Sequence, residues 1–143
     1  MHAPASCPMS SATIAEFADL LRLARAEPQP QQLLFVFVKA ALPDAATPAQ
    51  RAAFDAGVGG ELEPLMVVDK AADALADFAS LTAEAAAFGP PWSLVFASTQ
   101  PGGDANADAI GPALDEMVER VRAGWLTGMI AFDRRGRAVA PRG

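Results

Sequence analysis

The chain predicts a single α/β domain of three layers: a mostly parallel sheet of four or five strands, helices on both faces, and a closing C-terminal β-hairpin. Three observations lead there. Strongly apolar runs of strand length alternate with segments of helical periodicity, in the order α-β-α-β-α-β-α-β-β. The most apolar run, QLLFVFVKA at 32–40, is hydrophobic on both faces, as a central strand covered on both sides requires. With 143 residues, 52% of them hydrophobic, the chain can bury roughly two thirds of its unfolded surface as one domain.

Residues 1–11 read as a flexible tail, leaving 12–143 as the domain. TIAEFADLLRLARAE carries Thr13 with Glu16 three places on, a capping-box signature, and then Ile14, Phe17, Leu20, Leu21 and Ala24 at helical spacing. PQP at 28–30 ends that helix, and Leu33–Val38 follows as a core strand. A second helix is expected from Thr47 as N-cap, through Pro48 at its first position, to Gly57 as terminator. PLMVVD at 64–69 reads as the second strand, with Asp69 as the cap of the helix after it. In that helix Leu75, Phe78, Leu81 and Ala85 share a face, and Gly89 stops it. Residues 92–98 give a third strand, and the loop TQPGGDANAD leads to a helix with Ile110, Leu114, Met117 and Val121 as its buried stripe. The closing GMIAFDRRGRAVA places a turn, Asp-Arg-Arg-Gly, between two apolar segments.

Charge and composition exclude several functions. A net charge of −6 disfavours nucleic-acid binding, which needs clustered Lys and Arg. The longest strongly apolar run, Leu33–Val38, is far short of the ~20 residues that span a bilayer, so no membrane association is expected. The N-terminus has no basic region followed by an apolar one, and Cys7 alone cannot form an intrachain disulfide; both fit a cytoplasmic protein. Charge is uneven: residues 1–119 carry a net −11, whereas 120–143 carry six arginines against Asp133. That asymmetry marks a solvated terminal hairpin or a docking surface for a protein partner or a second copy.

Catalytic chemistry finds little footing. His2 is the only histidine and lies in the tail, so no Ser-His or Cys-His pair forms without it, and Cys and His are too few for a zinc site. No cofactor is expected, and the enzyme question stays open, leaning to no. In a parallel sheet, ligands bind beyond the carboxyl ends of strands. That rule selects Lys39, then Asp69 and Lys70, then Thr99 and Gln100 as an anion or nucleotide site, with Lys39 and Lys70 converging if their strands are neighbours. The other candidate surface is Trp125 with Arg134, Arg135 and Arg137, since Trp and Arg are enriched where proteins bind one another.

PQPQQLLFVFVKAALPDAATPAQRAAFDAGVGGELEPLMVVDK, together with AFDRRGRAV near the end, resembles a family of small proteobacterial proteins labelled ribonucleotide reductase subunit alpha. The resemblance spans residues from about 13 to about 140. It carries no catalytic residue over. A catalytic subunit of that enzyme is several times longer and works through multiple cysteines, where this chain offers Cys7. The leading expectation is therefore a non-catalytic α/β domain that acts through a protein partner or self-association, with the anion or nucleotide site as the alternative.

Overall fold

The computed structural model describes residues 14–41, 47–49, 52, 61–89 and 91–139. Its elements are α1 (Phe17–Arg25), β1 (Gln31–Ala41), β2 (Glu61–Ala71), α2 (Phe78–Phe88), β3 (Leu94–Pro101), a 3-10 segment (Asp104–Ala109), α3 (Ile110–Ala123), β4 (Ile130–Phe132) and β5 (Ala138–Val139). The strands form one sheet in the order β2-β1-β3-β4-β5. Every neighbouring pair is antiparallel.

The expected mostly parallel α/β sheet is therefore wrong. Apolarity on both faces of β1 reports that both faces are covered; it does not report strand direction. Leu33, Phe35 and Phe37 point into one apolar cluster with Phe17, Leu20, Leu21 and Ala24 of α1 and Leu81 and Ala85 of α2. Leu34, Val36 and Val38 point into the other, against Leu114, Met117 and Val121 of α3. The six side chains of Leu33–Val38 are all buried. Five of them (Leu33 and Phe35–Val38) are completely so, which at about 1.5–3 kcal/mol for each large apolar side chain makes β1 the energetic axis of the fold.

Local signals shift by a few residues. The first helix is capped at Glu16 rather than Thr13: Asp19 Oδ2 accepts from the Ala15 and Glu16 amides, both at 3.0 Å. The helix after β2 begins at Phe78, and its N-cap is Asp77, whose carboxylate accepts from the Ser80 amide at 2.8 Å; Asp69 stays inside β2. β3 runs on to Pro101, beyond the expected end of the third strand. The tail at 1–11, with His2 and Cys7, lies outside the described residues, as does most of the helix expected from Thr47 to Gly57.

The two edges of the sheet differ. Beyond β5, the Ala138 amide donates to the Ala15 carbonyl (2.8 Å) and the Phe17 amide to the Gly136 carbonyl (2.7 Å), so the entry to α1 closes that side. β2 is the opposite edge and offers an eleven-residue strand.

Candidate functional site

A groove of about 510 Å³ lies between α1, the start of α2 and the β4–β5 turn. Sequence places each wall. Phe17 and Leu21 are on the buried stripe of α1, with Arg22 and Arg25 beside them. Asp77 starts α2 and sets Phe78 facing α1, with ring centroids of Phe78 and Phe17 5.1 Å apart. The third wall is the turn. Asp133 Oδ1 accepts from the amides of Arg135 (2.8 Å) and Arg137 (3.0 Å), and Gly136 adopts φ +81°, so the hairpin reverses tightly and sets Arg135 at the rim.

The cations around this groove are not equivalent. Arg22 is 3.2 Å from Asp19. Arg25 donates from Nε to the Ala72 carbonyl at 3.0 Å and from its terminal nitrogen to the Leu75 carbonyl, tying α1 to the residues between β2 and α2. Arg134 lies over the Trp92 ring, 5.7 Å from its centroid. Arg135 is exposed, and its side chain meets no partner among the described residues. Two carboxylates nearby are held below their ordinary range: Asp19 by the Glu16 and Ala15 amides, then Arg22, and Asp77 by the Ser80 amide and hydroxyl. A carboxylate held this way is a poor base, so the contact of Ser80 Oγ with Asp77 Oδ1 at 2.8 Å leaves the hydroxyl unactivated.

The antiparallel sheet redistributes the residues selected from sequence. Lys70 sits opposite Leu33, and Lys39 opposite Glu63, so the two lysines are separated along β1 by about 20 Å and do not converge. Asp69, Lys70, Thr99 and Gln100 all flank the start of β1. Alternation puts Lys70 and Thr99 on the α1 and α2 face and Asp69 and Gln100 on the α3 face, so the four form no single site. Two of the four are already engaged: Asp69 accepts from Gln32 Nε2 at 2.8 Å, and Lys70 Nζ lies 2.7 Å from Glu84.

The second candidate surface divides as well. Trp125 follows the C-terminus of α3, where Gly124 turns left-handed and the Trp125 amide donates to the Arg120 carbonyl at 2.8 Å; its side chain is 71% exposed. Arg134 and Arg135 lie across the sheet, on the α1 and α2 side, and Arg137 bridges to Glu16 through the backbone. Sequence reasoning missed Leu21, Arg22, Arg25, Asp77 and Phe78 as a wall of the same groove; only Arg22 and Arg25, three apart on α1, gave a readable sign. Among the described residues no group of His, Cys, Asp and Glu could hold a metal ion. No described helix is long and apolar enough to cross a membrane.

No family model, curated protein or solved structure matches the chain.

Proposed function

We propose that this chain is a non-catalytic cytoplasmic binding domain, whose groove takes a short protein segment carrying an acidic residue beside apolar side chains. One observation carries the reading: an apolar floor of Phe17, Leu21 and Phe78 is rimmed by Arg135, whose guanidinium has no side-chain partner among the described residues. The volume, about 510 Å³, falls within the range of ordinary ligand sites and accommodates several side chains. Charge supports the acidic component. The groove is lined by Arg22, Arg25 and Arg135 against Glu16 and Asp77, a net positive lining that favours a carboxylate at Arg135.

Panning a random-peptide display library against the protein tests the reading. The expected result is enrichment of sequences with Asp or Glu next to Leu, Phe or Trp, and loss of their binding in Arg135→Glu. Enriched peptides that bind Arg135→Glu as well as the parent would overturn it.

A further inference from the structure

We propose that the groove selects segments with two acidic residues set one apolar residue apart, and that Arg22 exchanges its Asp19 pair for the second of them. The rule rests on the groove being the peptide site. Three arginines line it, and their partners decide how free each is to bind. Arg25 is committed: it donates to the Ala72 and Leu75 carbonyls, which would lose those bonds if it turned away. Arg22 has a single contact, to Asp19 Oδ1 at 3.2 Å, and its side chain is 66% exposed. Asp19 does not depend on that contact. Its other oxygen accepts from the Ala15 and Glu16 amides, both at 3.0 Å, and those bonds remain when Arg22 leaves. An exposed pair of this kind contributes little, so an incoming carboxylate takes Arg22 over at little cost.

The spacing comes from α1. Ala18, Arg22 and Arg25 recur at i, i+4 and i+7, forming one flank of the helix beside the floor of Phe17, Leu21 and Phe78. The β4–β5 turn meets the start of that helix, where the Phe17 amide donates to the Gly136 carbonyl at 2.7 Å. Arg135, next in the chain to Gly136, therefore enters the groove at the level of Phe17. Arg22 lies five residues further on, about 7.5 Å at the helical rise. In an extended segment, residues i and i+2 are about 7 Å apart on one face, and the residue between them points the other way. Acidic side chains at i and i+2 thus match Arg135 and Arg22, and the one between them turns to the apolar floor. The two carboxylates of the lining do not compete for Arg22. Asp77 is taken up by the Ser80 amide and hydroxyl, each at 2.8 Å. Glu16 lies six residues before Arg22, outside the spacings that pair on a helix.

Fluorescence anisotropy of the full chain with labelled, end-blocked peptides, each carrying its test residues in a Gly-Ser frame, checks the rule. Glu-Phe-Glu should bind about two- to fivefold tighter than Glu-Phe-Gln, and Arg22→Gln should bring the first down to the second while leaving the second unchanged. Glu-Glu-Phe, with its acids adjacent, should gain nothing over Glu-Phe-Gln. Arg22→Glu should invert the order, preferring Glu-Phe-Lys to Glu-Phe-Glu, which a loss of helix stability alone would not do. Circular dichroism verifies that both variants stay folded. Equal binding of Glu-Phe-Glu and Glu-Phe-Gln to the parent, lost in Arg135→Glu, would overturn the two-acid rule and leave the groove standing as a peptide site. A preference for the second acid that survives Arg22→Gln would overturn the role of Arg22. No binding of any peptide in the set would overturn both the rule and the site.

Discussion

Replacing Gly136 with alanine is expected to destabilise the protein by about 2–5 kcal/mol, and the structure separates two causes. Gly136 has φ +81°, where an L side chain costs about 1–2 kcal/mol. A Cβ there would also lie 3.0 Å from Phe78 Cδ2 and 3.2 Å from Cγ, so the ring must move. Phe78 is held between Phe17 and Trp92, with centroids 5.1 and 6.4 Å away, and overpacking of this kind costs about 1–3 kcal/mol more. Gly124→Ala isolates the first cause: φ is +79°, but no atom lies within 4 Å of the added Cβ, so the loss is about 1–2 kcal/mol. Gly111→Ala carries neither penalty. It sits in the first turn of α3 in open space at an ordinary φ. Pro112 follows it, however, and the proline ring crowds a Cβ on the helical residue before it, so little or no gain in stability is expected. Urea unfolding followed by tryptophan fluorescence measures all three, provided the slope against denaturant stays constant. If Gly136→Ala costs no more than Gly124→Ala, the turn does not press on Phe78 and the third wall of the groove is misplaced.

Further outcomes follow from the same contacts. Phe37 is fully buried and meets Trp92 edge to face at 5.0 Å, so Phe37→Ala should cost about 3–5 kcal/mol and shift Trp92 emission to the red. Arg25→Met strands the Ala72 and Leu75 carbonyls, and should cost about 1–3 kcal/mol and raise amide exchange across 72–77. Asp19 and Asp77 have folded pKa values below the ordinary 3.8, so unfolding takes up protons in acid. Their contribution is complete above the unfolded value, near pH 4, and is lost as pH falls through the lowered folded values. Urea midpoints measured down from about pH 5 should therefore fall below about pH 4, with a shallower fall in Asp19→Ala and Asp77→Ala.

How much of this was legible differs by residue. β1 was readable because six consecutive apolar residues fit only a strand covered on both faces. Its neighbours' directions were not, since pairing direction is set by connections and by contacts distant in sequence. The stripe of Leu114, Met117 and Val121 was readable from helical spacing alone. The start of α2 was not: Asp69 and Asp77 are both good caps, and extension of β2 to Ala71 decided between them. The same holds for the sites. Lys39 and Lys70 depended on parallel strands and separated once β1 and β2 ran opposite ways. Arg135 was picked out by its charge, but the apolar floor beneath it comes from residues about 60 to 120 positions earlier, which no local pattern could join to it.

The central claim is that the groove between α1, α2 and the β4–β5 turn receives an acidic, apolar segment. Amide chemical-shift mapping of the isotope-labelled protein, titrated with a peptide enriched by panning, tests it most directly. The account predicts saturable shifts concentrated in residues 16–25, 76–79 and 135–136, absent in Arg135→Glu. Shifts confined to the β2 edge or to the region around Trp125, with those three segments unmoved, would contradict it.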